Sequence, residues 1–154
     1  MLRALINPFL IGLAGGQRGI TPLSVVAAAA RRDALPAGAP LRALLANRLV
    51  AAGAASLAAA EMAGDKMKTA PDRTVPIGLA VRGVTTAFAG AALAPRGKRI
   101  AGAALATATA LAAAPLGLRL RKRAMARFGQ TATGFVEDAL VTAVGHYAGR
   151  RRGA

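Results

Sequence analysis

The sequence predicts an all-α protein: a polytopic integral membrane bundle with an internal repeat of a broken helix plus a helix, followed by a C-terminal helix. Three observations carry this prediction. Hydrophobic residues make up 55% of the 154-residue chain, and 21 Lys and Arg stand against only 6 Asp and Glu. The basic residues are gathered into short clusters, and the runs between the clusters carry almost no charge. Several runs approach the ~20 apolar residues that a spanning helix needs.

Five apolar runs alternate with basic loops, and each run is predicted to be helical. The runs are residues 4–30, 49–60, 76–95, 100–118 and 131–149. The fourth is the clearest span, because it is free of charge and ends in the basic segment 119–127. The fifth has its apolar residues largely on one helical face, so it is either an interfacial or packing helix or a full crossing.

We expect residues 1–154 to form a single membrane domain. Because alanine barely drives insertion, a soluble alanine-rich bundle is the alternative.

The first run is interrupted in its middle by glycines and two polar side chains. The stretch PFLIGLAGGQRGITP covers residues 8–22 and contains Gln17 and Arg18. Broken backbone at membrane depth is tolerated only where protein buries it or where it lines a watery cavity. Thr21 before Pro22 is typical of a helix N-cap with proline in the first turn, so a second helix is predicted to begin there. Its amide groups would point back at Arg18 and favour an anion.

The interrupted segment recurs later in the chain. IGLAGGQRGIT at residues 11–21 returns as IGLAVRGVT at residues 77–85, with two glycines removed. Each copy is followed by an apolar stretch, a basic loop and a second apolar helix. The sequence therefore predicts repeat one at about 8–66, repeat two at about 76–118 and a C-terminal helix at about 131–149.

The second copy supplies Arg82 and Thr85 as counterparts of Arg18 and Thr21, with Thr85 as a second N-cap. Two such half-helices are expected to face each other near the middle of the membrane, as discontinuous helices do in many transporters. The broken segments either cross the bilayer or re-enter it. We expect crossing, since 27 residues in the run 4–30 suffice for two half-helices, and positions on either side of this run would then lie on opposite faces.

The arginines have structural alternatives to a solute site. A buried charge costs ~2.5–3.5 kcal/mol even on the mildest membrane scale, so such charges usually pair. Glu61, Glu137 and Asp138 are the available acids, and snorkelling to the headgroups would need no partner. Glu61 and Asp65 are one helical turn apart and form either a proton or cation site at the membrane edge or a solvated helix end.

Three stretches carry a resemblance to a known family. They are GGQRGITP, EMAGDKMKTAPDR and PIGLAVRGVTTAFAGAAL. Together they resemble the small bacterial membrane proteins grouped as domain of unknown function 4126, over residues 8 to about 118. Arg18 and Pro22 match the glycine-rich element of that family, and Glu61, Asp65 and Lys66 match its acid-x-x-x-Asp-Lys element. The chain departs in having KMKTAPD where a proline more usually follows the lysine directly. The resemblance implies a bacterial membrane location and no activity, because the family is uncharacterised.

Composition argues against several other classes of protein. The chain has no cysteine and a single histidine, His146, so thiolate and multi-histidine metal sites are excluded and little is left for catalysis. We expect no enzyme, no catalytic residues, no cofactor and no metal. The sequence pI of about 12.0 suggests nucleic acid, but five aromatic residues are too few for stacking. The basic loops fit the anionic headgroups of a lipid bilayer better.

The basic residues do not orient the chain in a membrane. If all five runs cross, nine basic residues fall on each side, whereas the positive-inside rule needs an asymmetry. One side receives Arg3, Lys66, Lys68, Arg73 and the five from Arg119 to Arg127; the other receives Arg31, Arg32, Arg42, Arg96, Lys98, Arg99 and Arg150 to Arg152. This near tie permits dual insertion and an antiparallel homodimer.

Two functions are compatible with this pattern in a multi-pass protein of the bacterial inner membrane. The first is a transporter or channel for an anionic or proton-coupled small solute, acting at paired helix breaks. The second is a non-transporting scaffold or accessory subunit, in which the breaks serve helix packing. A water-accessible cavity that reaches Arg18 and Arg82 would favour transport, and dry arginines paired with acids would favour the scaffold.

Overall fold

The computed structural model describes residues 4–64 and 75–150, and these residues form helices and connecting turns without a strand. The all-α prediction is therefore confirmed. The helices are α1 (Ile6–Gln17), α2 (Thr21–Arg31), α3 (Arg42–Ala46), α4 (Arg48–Gly64), α5 (Pro76–Leu93), α6 (Arg99–Phe128) and α7 (Gln130–Ala148), with a short 3-10 turn at Arg96–Lys98.

α1 and α2 form a helical hairpin instead of one broken crossing. Ala4 and Asn7, at the start of α1, line the same cavity of about 460 Å³ as residues 33–37, which follow α2. Near the turn, a Cβ atom built on Gly15 would lie 2.9 Å from Cγ of Pro22, so the two helices pack back on each other. The expectation that this run crosses was wrong. Its length allows a crossing, but the extended backbone of Arg18 (φ −135°, ψ 111°) turns the chain back.

The helices α6 and α7 run between two ends of the molecule. We call the end where α1 begins and α2 finishes the hairpin end, and the end with the α6–α7 turn at Gly129 the turn end. α6 starts at the hairpin end, where the Arg99 guanidinium donates to the carbonyl of Gly38. α5 runs antiparallel to α6, because a short turn joins the two helices and Gly90 lies on Gly102. α7 returns beside α2, since Asp138 contacts Arg18 while Gly145 lies against Val25.

α6 is the central helix, and glycines bring its neighbours very close to it. On the α1 side, a Cβ on Gly12 would lie 2.5 Å from the carbonyl oxygen of Ala106, and one on Gly16 would lie 2.8 Å from that of Ala110. On the α5 side, Gly90 packs directly on the backbone of Gly102. Side chains at these positions would separate the helices, so the glycines position the hairpin against α5 and α6.

The basic segment 119–127 is helical, although the sequence predicted a loop. α6 continues from Arg99 through Pro115 to Phe128. The proline removes one backbone hydrogen bond, but the Arg, Lys, Leu, Ala and Met residues that follow it are among the better helix formers. The last three turns of α6 are therefore a basic helix that faces α7.

Two stretches of the described chain are long and apolar enough to cross a membrane. They are Pro76–Leu93, with a mean hydropathy of 1.3, and Arg96–Phe128, with a mean hydropathy of 1.6. These stretches give weak support for membrane association. The multi-pass arrangement stays a prediction.

Candidate functional site at the hairpin tip

The tip of the α1–α2 hairpin, residues 18–20, lies about halfway between the two ends of the molecule. Gln17 donates through Nε2 to the carbonyl of Ala113, the fifteenth of thirty residues in α6. Asp138, which contacts the tip from α7, is the ninth of nineteen residues in that helix. The tip is thus non-helical backbone enclosed by four long helices, which is where such backbone is tolerated.

Arg18 is the charged residue of the tip, and only 1% of it is exposed. Its Nε and Nη2 donate to Oδ1 of Asp138 over 3.0 and 2.6 Å, and Nη2 also lies 3.4 Å from Oε2 of Glu137. Nη1 donates to the carbonyl of Gln17 over 3.2 Å. The sequence analysis named both acids as candidate partners, and the structure places them on this arginine.

A second arginine, Arg121, completes the cluster and was missed by the sequence analysis. Its Nη1 donates to Oε2 of Glu137 over 3.1 Å, and only 8% of the residue is exposed. Two arginines and two carboxylates therefore sum to a formal charge of zero. Arg121 was assigned to a basic loop; once the helix is extended, its spacing from Ala114 and Gly117 places it on the inner face of α6.

Glu61 caps the start of α2 from another helix. Its Oε1 accepts from the amide of Gly19 over 2.6 Å and its Oε2 from the amide of Ile20 over 2.9 Å. A carboxylate at this position satisfies unpaired amides and lies at the positive end of the helix dipole. The anion expected at the helix start is therefore a side chain of the protein itself.

Thr21 does not act as the N-cap that its sequence context predicts. It is the first residue of α2, Ile20 occupies the cap position, and no side chain of the cap residue bonds to the helix. Among the described residues, the buried hydroxyl of Thr21 has no hydrogen-bond partner. The prediction was wrong because the helix begins one residue earlier than it assumed: the amides of Leu23 and Ser24, which a Thr21 cap would have bonded, donate to the carbonyl of Ile20 over 3.0 and 3.4 Å. Asp65, the remaining acid among the predicted site residues, lies outside the described residues.

The second copy of the repeat is an unbroken part of α5, so the predicted second helix start is wrong. Thr85 lies inside Pro76–Leu93 and donates through Oγ1 to the carbonyl of Gly19 over 2.6 Å. Arg82, 7% exposed, donates through Nη1 to the carbonyl of Gly78 over 3.1 Å, and its Cγ would lie 3.4 Å from a Cβ on Gly19. The second copy lacks the two extra glycines, and it forms one wall around the tip of the first.

A cavity of about 620 Å³ lies between the tip and the turn end. Its walls are one face of α6 and one face of α7, and it reaches Gln17, Arg121 and Glu137. Arg18 and Arg82 are not among the residues that line it. Among the described residues, no three imidazole or carboxylate groups are placed to hold a metal ion.

Comparisons with known proteins identify no relative of this chain. No family model matches its sequence. No curated protein matches it. No solved structure matches its fold. The resemblance to domain of unknown function 4126 therefore stays a prediction.

Proposed function

We propose that this chain is a small multi-pass protein of the bacterial inner membrane that serves as a non-transporting scaffold or accessory subunit. One observation carries the proposal: four charged side chains are buried inside the molecule, while many large apolar side chains are exposed on its surface. Arg18, Arg82, Arg121 and Asp138 are all buried. Among the most exposed apolar side chains are Ile100 at 88%, Leu49 at 83% and Ile77 at 72%. Exposed apolar surface on this scale fits lipid, and buried charges that face a bundle interior are typical of membrane proteins.

The closed state of the tip supports a structural role over transport. Arg18 is neutralised by Asp138 and Glu137, and the two amides and the carbonyl of the tip are bonded to Glu61 and Thr85. Each of these partners is a group of the chain itself, and only 1% of Arg18 is exposed. Removing one member of such a buried pair leaves the other charge uncompensated. The network therefore holds the hairpin between α4, α5 and α7.

The test is reconstitution of Arg18→Gln beside the wild type and a matched control, Arg123→Gln, which removes an exposed arginine of α6. We expect all three proteins to resist extraction from vesicles at alkaline pH. We also expect no more proton or anion flux than in empty vesicles, and a lower Tm for Arg18→Gln alone. A flux that is present in the wild type and lost in Arg18→Gln with an unchanged Tm would overturn the scaffold proposal.

A transport function is the second candidate, and the cavity beneath the tip favours it. The cavity reaches Arg121 and Glu137, and Glu137 contacts Arg18, so one displacement at the tip would connect the turn end to the centre of the molecule. The solute would be an anion or a proton. In the same vesicles, a flux abolished by Glu137→Gln and unaffected by Asp33→Asn, an exposed acid, would select this function.

A homodimer also remains a prediction, although one of its supports is lost. The count of nine basic residues on each side assumed that the first run crosses the membrane. In the hairpin, α1 and α2 begin and finish at one end, so that count does not apply. The preference for anionic headgroups depends on the basic clusters themselves, which are unchanged.

A further inference from the structure

The cavity at the turn end is an apolar groove created by the early end of α1. α1 finishes at Gln17, opposite Gly117 of α6, where the Gln17 side chain occupies the space that a Cβ on Gly117 would need. Beyond that level, the remaining three turns of α6 are faced by the first half of α7, and Gly129 (φ +80°) joins the two helices. At about 620 Å³ the groove is within the ~300–1,000 Å³ typical of small-molecule sites.

The walls of the groove are large apolar side chains that the described residues leave open. Leu120 and Phe128 of α6 are 65% and 71% exposed, and Val136 and Leu140 of α7 are 61% and 62% exposed. They recur at the spacing of one helical face on each helix, so they form two facing apolar stripes. A contiguous apolar surface of this kind marks an interaction site, and a groove bounded along two helices by apolar side chains fits a hydrocarbon chain.

Positive charge lies beside the groove on α6, where Arg123 and Arg127 directly precede the lining residues Ala124 and Phe128, whereas the floor of the groove is neutral. The floor pair, Arg121 and Glu137, is joined over 3.1 Å. Four further basic residues of the same helical segment are exposed: Arg119, Lys122, Arg123 and Arg127. Arg123 and Arg127 are one helical turn apart, so a single anionic group can bridge them. The same groove of a second copy is a poor occupant, because a symmetric contact would bring an equal set of exposed cations against these.

We propose that this groove binds one acyl chain of an acidic phospholipid, with the lipid headgroup held by the basic residues of α6. The inference rests on the proposed membrane location. Basic side chains beside an apolar groove satisfy both parts of such a lipid, because their stems extend over apolar surface while the charged ends reach the headgroup. A neutral lipid would fill the groove equally well but would gain nothing from Arg123 and Arg127.

The test uses a single tryptophan as the reporter, because the chain has none of its own. Phe128→Trp places the indole in the groove, and Leu57→Trp places it on α4, away from the groove, at a position that is 60% exposed. The full-length proteins are reconstituted in phosphatidylcholine vesicles that contain a minor fraction of brominated phosphatidylglycerol or brominated phosphatidylcholine. We expect brominated phosphatidylglycerol to quench Phe128→Trp more strongly, and both lipids to quench Leu57→Trp equally.

Two charge variants then test the headgroup contact. In Arg123→Gln/Arg127→Gln, the preference for phosphatidylglycerol at position 128 should weaken by roughly fivefold per residue removed, converted from the ~1 kcal/mol that a basic residue contributes near an anionic surface. The control Arg31→Gln/Arg32→Gln removes two exposed arginines at the hairpin end and should leave the preference intact. Leu140→Trp is a second groove reporter for use if Phe128→Trp does not fold.

The other outcomes separate this inference from the proposed membrane location. Equal quenching of Phe128→Trp by both lipids, or a preference that survives Arg123→Gln/Arg127→Gln, overturns the acidic-lipid site. Quenching of Leu57→Trp alone also overturns it and indicates a groove filled by a second copy or another partner. If neither reporter is quenched by either lipid, the membrane location itself fails.

Discussion

The two copies of the repeated sequence begin alike and fold differently. Both start with IGLA and both contain Arg-Gly-x-Thr, at residues 18–21 and 82–85. The first copy ends α1 at Gln17 and turns the chain back into α2, whereas the second continues through α5 without interruption. The first copy contains two more glycines, of which Gly15 lets Pro22 approach and Gly16 lets α1 lie on α6. The first copy also continues with Pro22 where the second has Thr86, so two added glycines and a proline accompany the change from a helix to a hairpin tip.

The two copies are complementary and not equivalent. Thr85 of the second copy donates to Gly19 of the first, and Thr86 packs against Gly15. The second copy therefore supplies the wall on which the first is held, instead of a second site across a symmetry axis. The two segments are therefore similar in sequence but have different structural roles.

The hairpin makes an all-or-none prediction for chemical labelling. The chain has no cysteine, so Ala4→Cys, Asp33→Cys and Phe128→Cys each introduce a single thiol. In oriented membranes, a charged maleimide should label positions 4 and 33 from the same face, because both line the cavity at the hairpin end, and position 128 from the opposite face. Labelling of positions 4 and 33 from opposite faces would restore the crossing arrangement and refute the hairpin.

The largest loss of stability is expected from Asp138→Ala. This change leaves Arg18 buried without its closest acid, and breaking a buried pair in this way costs ~3–5 kcal/mol. Thermal unfolding in detergent measures the effect.

The matched control for Asp138→Ala is Asp33→Ala, which removes an exposed carboxylate 2.9 Å from Arg42 and should cost ~0–1 kcal/mol. The double variant Arg18→Met/Asp138→Leu should recover most of the stability, since it removes both charges together. Equal losses in Asp138→Ala and Asp33→Ala would show that the tip does not depend on its ion pair.

Sequence reasoning found the charged residues of the tip but not their geometry. The interruption at residues 18–20 was predictable, because glycines followed by Thr-Pro end one helix and begin another. The direction of α2 was not predictable, because it depends on contacts of Gly15 and Arg18 with α5 and α7, far along the chain.

Arg121 was not predicted as a site residue for a different reason. A run of arginine and lysine is read as a loop, and nothing local reveals that one of its members faces inward.

A smaller loss is expected from Glu61→Ala, which removes the acceptor of two tip amides. Leaving buried amides unsatisfied costs ~1–3 kcal/mol each, and we expect the lower part of this range because Glu61 and these two hydrogen bonds are only partly buried. Glu61→Gln keeps one oxygen acceptor and should lose about half as much. Hydrogen exchange at Gly19 and Ile20 should accelerate in the order wild type, Glu61→Gln, Glu61→Ala. Unchanged exchange in Glu61→Ala would mean that the carboxylate does not cap α2.

The smallest effect, and the only gain, is expected where the two copies have the same residue in different roles. Gly83 lies inside α5 and a Cβ there would meet nothing within 4 Å, so Gly83→Ala should stabilise the protein by ~0.5–1 kcal/mol through helix propensity. Gly19, its counterpart, is non-helical and gains no such benefit from alanine. Gly53→Ala in α4, which is equally open, controls for propensity and should match Gly83→Ala in Tm. If Gly19→Ala stabilised the protein as much as Gly83→Ala does, residue 19 would behave as part of a helix, and the distinction between the two copies would fail at the residue that defines it.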